Sequence, residues 1–253
     1  MNLLDHPLIT ERYFFPRPDT ADDAVLVETN GCVLRCHRTA VAGARSTVLF
    51  FHGNGEVAAD YVPWFAEQFA KLGVSTFLAE YRGYGGSTGR PVLGSMLDDV
   101  GAIVRAAASS SREIIVFGRS IGSLFAGEVA RRFPDVRGAV FESGIADVLE
   151  RILIRVEPGE MATTGAQLRE AVDEQLNQAA KLAGYRGPVL VLHARHDSMV
   201  DSTHGERLAA AAGNREAARL VMFARGDHNN VMTANAREYW DEVAAFVARC
   251  EGR

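Results

Sequence analysis

Residues 115–128 read IVFGRSIGSLFAGE, an apolar run that leads into a serine flanked by glycines and then into residues at helical spacing. One residue separates Ser120 from Gly118 on one side and from Gly122 on the other. The pattern Gly-x-Ser-x-Gly between a strand and a helix is typical of a nucleophile elbow, a sharp turn that exposes the serine hydroxyl. Small residues are needed there because the helix and a neighbouring strand crowd the turn. The alternative is a glycine-rich turn whose serine only caps the helix.

The composition is that of a globular protein with a sizeable hydrophobic core. The chain has 253 residues, of which 47% are hydrophobic and 23% are charged, and its formal net charge is −5. This length allows one large domain, and we expect residues 1–253 to form one. The mild negative charge argues against a nucleic-acid partner, which a basic surface would attract.

The cysteines and the N-terminal stretch bear on the compartment. The chain has three cysteines: Cys32, Cys36 and Cys250. This low, odd number argues against a disulfide framework, and no second Cys/His pair lies at zinc-binding spacing. Polar residues and a proline at 5–7 interrupt the N-terminus where a signal peptide would be continuously apolar. No segment approaches the roughly 20 apolar residues of a membrane span. We therefore expect a cytoplasmic location.

Short apolar runs alternate with helical patterns along the chain. Strands are predicted at 24–29, 32–38, 47–53, 74–81, 113–118, 138–143, 188–194 and 218–224, and helices at 64–73, 96–108, 124–133 and 234–250. This alternation predicts an α/β fold with a mostly parallel central sheet of about eight strands and helices on both faces. Asn30-Gly31 predicts a tight hairpin between the first two strands.

Residues 145–186 interrupt the alternation. They separate two predicted strands by more residues than a single crossover helix needs, and two helical segments fit around Pro158-Gly159. We interpret 145–186 as a small helical cap over the strand ends. A longer crossover without a role in substrate binding is the alternative.

Polar and glycine-rich residues follow the predicted strands, at the edge where parallel sheets bind ligands. A serine nucleophile needs a histidine base and a carboxylate that orients this base. His228 lies between the last predicted strand and the final helix, which makes it the candidate base. Asp197 follows the strand at 188–194 and is the preferred candidate acid.

Other residues near the strand ends compete for these roles. Asp201, which is close to Asp197 in sequence, and Glu142, at the end of the predicted strand at 138–143, are alternative acids. Asp227 adjoins His228 in sequence, so we interpret it as a turn residue. His193 lies inside a predicted strand, which favours a packing role.

Acyl-transfer chemistry also needs hydrogen-bond donors for the tetrahedral oxyanion. The backbone N–H of Ile121, directly after the serine, is the first candidate donor. The sequence HGNGE at 52–56 offers the second, the N–H of Asn54, because the flanking glycines let the backbone approach a ligand. We interpret His52 as a residue that braces this loop by hydrogen bonds.

Five motifs together resemble the α/β-hydrolase superfamily, and within it the abhydrolase-domain serine hydrolases grouped with serine-aminopeptidase-like and depalmitoylase-like enzymes. They are HGNGE, AEYRGYGGSTGRP, FGRSIGS, LHARHDSMV and GDHNN, in this order within residues 45–250. The resemblance implies an α/β-hydrolase fold with Ser120, Asp197 and His228 as the catalytic triad. It also implies the N–H groups of Asn54 and Ile121 as oxyanion donors. Binding or support roles follow for residues beside the site: His52, Gly53, Tyr81 and Arg119.

The resulting hypothesis is a serine hydrolase that cleaves a carboxylic ester or thioester of a small-molecule acyl substrate through an acyl-enzyme intermediate. This chemistry requires no metal and no organic cofactor. A dehalogenase or an epoxide hydrolase would need a carboxylate in place of Ser120. The open alternatives are a serine peptidase of the aminopeptidase type, an acyltransferase, and a non-catalytic member of the fold that only binds a ligand.

Overall fold

Eight strands form one sheet in the computed structural model, which describes residues 2–19 and 23–252. The strands are β1 Val25–Thr29, β2 Cys32–Thr39, β3 Thr47–Phe51, β4 Ser75–Ala79, β5 Ile114–Arg119, β6 Gly138–Glu142, β7 Val189–Ala194 and β8 Ala218–Phe223. Their order across the sheet is β1-β2-β4-β3-β5-β6-β7-β8. Each strand lies within or close to an apolar run identified in the sequence, so the predicted sheet is confirmed.

The sheet is parallel from β4 to β8, whereas β2 pairs antiparallel with both β1 and β4. Thr29 pairs with Cys32, so the predicted two-residue turn joins β1 to β2. Gly31 in this turn has a φ of 77°, which glycine adopts without steric cost. Because parallel strands end at the same edge of the sheet, the loops after β3, β5, β7 and β8 converge there.

Helices connect the strands and cover both faces of the sheet. They are α1 Pro7–Tyr13, α2 Phe65–Lys71, α3 Val100–Ala107, α4 Gly122–Arg132, α5 Val148–Leu153, α6 Gly165–Leu176, α7 Gln178–Ala183, α8 Thr203–Ala211, α9 Val231–Ala234 and α10 Ala236–Glu251. No helix within the described residues is long and apolar enough to cross a membrane. The cysteines are free thiols.

The strands divide the hydrophobic core into two layers, because successive side chains point to opposite faces of a sheet. Phe50 and Phe51 are neighbours on β3 but belong to different clusters. Phe50 belongs to the layer that contains α2 and α10, and Phe51 belongs to the layer that contains α3, α4 and α8. A layer of helices on each face of a mostly parallel sheet is the predicted fold class, which is thereby confirmed.

Candidate active site

The serine turn connects β5, which ends at Arg119, to α4, which begins at Gly122. Ser120 has a φ of 52°, a left-handed conformation that is uncommon for residues with a side chain. A Cβ atom on Gly118 would lie 2.4 Å from the carbonyl oxygen of Gly122, and one on Gly122 would lie 2.1 Å from that of Phe51. The glycines are therefore needed because the helix and β3 leave no space for a side chain.

Ser120, His228 and Asp197 form a continuous chain of hydrogen bonds. The Oγ atom of Ser120 lies 2.9 Å from Nε2 of His228. On the other side of the ring, Nδ1 of His228 lies 2.8 Å from Oδ2 and 3.1 Å from Oδ1 of Asp197. This geometry lets the imidazole accept the hydroxyl proton while the carboxylate fixes the tautomer of the ring.

The surroundings of Asp197 keep its carboxyl group ionised. The backbone N–H groups of Met199 and Val200 donate to its Oδ1 at 2.9 and 2.8 Å. His193 lies below it, with Nε2 at 3.4 Å from Oδ2. Burial favours the neutral acid, but hydrogen bonds from His193 and His228 outweigh burial and hold the pKa of Asp197 well below its usual range.

Asp201 and Asp227 hold backbone turns and make no hydrogen bond to the imidazole of His228. Asp201 accepts the backbone N–H of Thr203 at 3.0 Å, at the start of α8. Asp227 accepts the backbone N–H groups of Ser198 and His228 at 2.6 and 2.7 Å. Among the described residues, no group of three or more His, Cys, Asp or Glu side chains is arranged to hold a metal ion.

The two predicted oxyanion donors line the same cavity as Ser120. Within residues 2–19 and 23–252, the backbone N–H groups of Asn54 and Ile121 donate no hydrogen bond, so both are available to a ligand. The side chain of Asn54 is fixed instead, because its Oδ1 accepts the hydroxyl of Tyr84 at 2.8 Å and the N–H of Phe15 at 3.2 Å. A rigid loop thus presents the Asn54 N–H.

His52 and Tyr81 support this loop from below and do not line the cavity. Nδ1 of the fully buried His52 lies 2.7 Å from the carbonyl oxygen of Gly53, and its Nε2 lies 2.7 Å from Oε1 of Glu80. The hydroxyl of Tyr81 donates to the carbonyl oxygen of His52 at 2.7 Å. Burial disfavours the imidazolium, but the charge of Glu80 and the hydrogen bonds to Glu80 and to the carbonyl oxygen of Gly53 together outweigh burial and raise the pKa of His52.

A buried ionic cluster of Arg119, Glu56 and Glu142 connects three loops, and we call it the Arg119 cluster. Nη1 of Arg119 donates to Glu56, and its Nε lies 3.2 Å from Oε1 of Glu142. Its Nη2 donates to the carbonyl oxygen of His228 at 3.1 Å. Glu56 in turn accepts the N–H of Gly53 at 2.6 Å. The cluster therefore links the serine turn, the loop with Asn54 and the loop with His228.

Glu142, an alternative acid in the sequence, is occupied within this cluster. Besides Arg119, its partner is the hydroxyl of Tyr239, which donates to Oε2. Burial raises the pKa of Glu142 despite the attraction of Arg119. Its carboxylate makes no hydrogen bond to the ring of His228, which contacts Asp197 instead.

Comparison with known proteins extends over most of the chain. A family model described as serine aminopeptidase, S33, matches residues 42–160. The alpha/beta hydrolase domain-containing protein WAV2 of Arabidopsis thaliana is 26% identical over 216 residues, which cover 80% of this chain and 70% of that protein. Alpha/beta hydrolase domain-containing protein 17C of Xenopus tropicalis is 26% identical over 180 residues, covering 69% of this chain and 53% of that protein.

Solved structures with this fold include esterases. An esterase of Pyrococcus furiosus matches with a TM-score of 0.70 at 17% identity, covering 94% of this chain and 98% of that one. Est1E of Butyrivibrio proteoclasticus, solved with ferulic acid bound, matches with a TM-score of 0.75 at 17% identity, covering 91% of this chain and 100% of that one. The chain belongs to the α/β-hydrolase superfamily. This α/β hydrolase therefore has the fold that its five motifs imply.

A cavity of about 360 Å³ in this α/β hydrolase is lined by Ser120 and His228. One wall comes from the first part of the predicted cap at 145–186, where residues between Ile145 and Arg155 line the cavity. The last helix of that segment, α7, packs against α4 and α8 instead. The segment thus begins at the cavity and ends in the helix layer beside the sheet.

A second wall comes from the N-terminal segment, which sequence reasoning did not assign to the site. Tyr13 and Phe15 line the cavity. The hydroxyl of Tyr13 donates to the carbonyl oxygen of Ile152 at 2.8 Å, and Arg155 donates to the carbonyl oxygen of Arg12 at 2.9 Å. No local sequence signal could reveal these contacts, because the partners lie 139 and 143 positions apart.

His204 of α8 anchors the start of the wall formed by 145–155. Its Nδ1 accepts the backbone N–H groups of Ala146 and Asp147 at 3.1 and 3.3 Å. An Nδ1 that accepts hydrogen bonds carries no proton, so this contact requires the neutral imidazole. Burial, reinforced by the charge of Arg207, lowers the pKa of His204 and keeps the ring neutral.

We expect this contact to make stability depend on pH below about 6.5, the ordinary pKa of histidine in an unfolded chain. Because the pKa of His204 is lower in the folded state, the stabilisation from this contact is complete above about pH 6.5 and is lost as the pH falls. Calorimetric melting of the wild type and of a His204→Asn variant tests this expectation. The difference between their melting temperatures should shrink on acidification, and a constant difference would contradict the assignment.

Proposed function

We propose that this chain is a serine hydrolase that cleaves a carboxylic ester or thioester through an acyl-enzyme intermediate. The observation that carries the proposal is the chain of hydrogen bonds from Asp197 through His228 to the hydroxyl of Ser120. That hydroxyl stands on a strained turn and lines the cavity. Membership of the superfamily and the likeness to esterases support hydrolase activity.

Acylation begins when Nε2 of His228 takes the proton of Ser120 and Oγ attacks the substrate carbonyl carbon. The carbonyl oxygen becomes an oxyanion, which accepts hydrogen bonds from the N–H groups of Asn54 and Ile121. The ionised Asp197 stabilises the imidazolium that forms. His228 then protonates the departing alkoxide or thiolate, and the acyl group remains on Ser120.

Deacylation repeats these proton transfers with water as the nucleophile. Neutral His228 takes a proton from water, and the hydroxide attacks the carbonyl carbon of the acyl-enzyme. The same two N–H groups hold the second oxyanion. Collapse of the intermediate breaks the bond to Oγ, His228 returns the proton to Ser120, and the free carboxylic acid leaves.

The charge of the cavity favours an ester or thioester over a substrate with a free amino terminus. An aminopeptidase holds the α-ammonium group of its substrate, for which a carboxylate is the fitting partner. Among the described residues, no Asp or Glu lines the cavity, whereas Arg151 and Arg155 do. Two guanidinium groups would repel an ammonium ion. The aminopeptidase alternative therefore fits this lining less well.

Labelling with a fluorophosphonate probe tests the proposed nucleophile. The probe phosphonylates a serine hydroxyl that a base has activated, so we expect one adduct, located at Ser120 by peptide mass spectrometry. Ser198 lines the same cavity and provides a matched control. The Ser198→Ala variant should still be labelled, and the Ser120→Ala variant should not.

Product analysis then distinguishes hydrolysis from the alternatives. Incubation with p-nitrophenyl esters should release the free carboxylic acid and p-nitrophenol in equal amounts. Release of p-nitrophenol with the acyl group transferred to an added alcohol in preference to water would indicate an acyltransferase. Absence of both labelling and turnover would contradict the hydrolase proposal and leave a binding protein.

A further inference from the structure

The polar lining of the cavity is asymmetric in charge. Arg151 and Arg155 line it, and no Asp or Glu of the described chain does so. The chain as a whole has the opposite balance, with 27 Lys and Arg against 32 Asp and Glu. The neighbourhood of the candidate nucleophile is therefore locally positive in a protein whose net charge is negative.

Arg151 is the arginine with capacity to bind a ligand. It lies on α5 and is half-buried. Within residues 2–19 and 23–252 its guanidinium group makes neither a hydrogen bond nor an ion pair. The adjacent Glu150 is engaged elsewhere, with Arg207 at 2.9 Å and with His204 at 3.3 Å. The donors of Arg151 are thus available at the wall of the cavity.

Arg155 has a different role, because the protein already uses its guanidinium group. Nη1 donates to the carbonyl oxygen of Arg12, and the group lies 5.6 Å from the ring centres of both Tyr13 and Phe15. These contacts hold the N-terminal wall in place. Arg155 therefore contributes positive charge, while Arg151 can form the direct hydrogen bonds.

Apolar side chains complete the same cavity. Phe15, Ile154 and Met199 line it and stay 48, 60 and 46% exposed, which is unusual for large hydrophobic residues. A ligand that covered them would bury apolar surface and gain binding energy. The lining thus offers an apolar surface next to an unpaired guanidinium group.

We infer that the substrate carries an anionic group, a carboxylate or a phosphate, joined by an apolar segment to the ester or thioester, and that Arg151 binds this group. A planar guanidinium group suits both anions, because it can donate two parallel hydrogen bonds. This inference rests on the proposed function for the identity of the scissile bond. The anion site itself is a property of Arg151 and the cavity.

Binding to the Ser120→Ala variant tests the anion site without any turnover. Two matched pairs of probes place the charge on either side of the ester: monomethyl adipate against methyl hexanoate, and 4-acetoxybenzoate against phenyl acetate. Titration followed by ligand-observed NMR gives the four dissociation constants. We expect the anion to bind about 10-fold to 100-fold more tightly in at least one pair, the range typical of a charged hydrogen bond.

The dependence on Arg151 is tested by adding Arg151→Gln to the Ser120→Ala variant. In this double variant, the preference for the anion should disappear. In the parent Ser120→Ala variant, the preference should weaken as salt is added. Arg169 on α6 is exposed and does not line the cavity, so Arg169→Gln serves as the matched control and should keep the preference. No preference in either pair, or an equal loss in both arginine variants, would overturn the inference.

Turnover by the chain with Ser120 intact separates this inference from the proposed function. The ratio of kcat/KM for mono-p-nitrophenyl adipate and p-nitrophenyl hexanoate reports the preference during catalysis. If the chain cleaves both esters but its binding shows no anion preference that depends on Arg151, the anion site is overturned and the hydrolase proposal stands. If binding shows an anion preference that depends on Arg151 but neither cleavage nor probe labelling occurs, the hydrolase proposal is overturned and the anion site stands.

Discussion

We expect the Ser120→Ala variant to hydrolyse a short p-nitrophenyl ester about 10³-fold to 10⁶-fold more slowly than the wild-type chain, measured as kcat. The loss is large because the variant cannot form the acyl-enzyme. The remaining rate would come from the oxyanion donors Asn54 and Ile121 and from substrate binding, which the substitution leaves in place.

Controls for this prediction separate chemistry from folding. The variant should melt near the wild-type temperature, because the φ of 52° at this position is similarly unfavourable for serine and alanine. Ser120 and His228 act as a unit, so the double variant with His228→Ala should be no slower than Ser120→Ala alone. A Ser120→Ala variant with a substantial share of the wild-type rate would show that another group is the nucleophile.

The Arg119→Met variant should lose about 3–5 kcal/mol of folding stability, the range measured when one partner of a buried ion pair is removed. Only 9% of the Arg119 side chain is exposed, and its removal leaves the carboxylates of Glu56 and Glu142 without their cation. Denaturant unfolding of wild type and variant measures the loss. Activity should fall as well, because Arg119 also holds the carbonyl oxygen of His228.

An exposed ion pair provides the matched control for the Arg119 cluster. Arg219 pairs with Glu242 and keeps 59% of its side chain exposed, so Arg219→Met should cost less than about 1 kcal/mol. Neutralising one orphaned carboxylate, by adding Glu142→Gln to Arg119→Met, should restore part of the stability. If Arg119→Met and Arg219→Met were equally stable, the cluster would contribute no more than a surface pair.

The central parts of this fold have strong local signals in the sequence. The five strands from β3 to β7 are buried on both faces and are continuous apolar runs, which made them identifiable in the sequence. The glycines around Ser120 reflect contacts made within a few residues or with the adjacent strand. Features set by strand order and close packing could therefore be predicted.

Other parts of the site depend on which side chains lie close together in space, and local sequence patterns do not reveal this. Asp197 and Asp201 follow β7 and Glu142 ends β6, and the structure separates the three by their partners: the ring of His228, a backbone turn and Arg119. Arg119 itself was expected to support the site. Its partner Glu142 ends the adjacent strand β6, but its other partner, Glu56, lies 63 positions away in the sequence, and no local pattern reveals that contact. The contribution of Tyr13 to the cavity was missed for the same reason.

The contact between Tyr13 and Ile152 has a consequence for the order of events during protein synthesis. Chains emerge from the ribosome beginning at the N-terminus, so Tyr13 is made 139 residues before its partner. Ser120 likewise precedes His228 by 108 residues. A serine hydroxyl without its base is a weak nucleophile, so the nascent chain stays unreactive. Under the proposed mechanism, activity begins only after His228 has been translated and has reached Ser120.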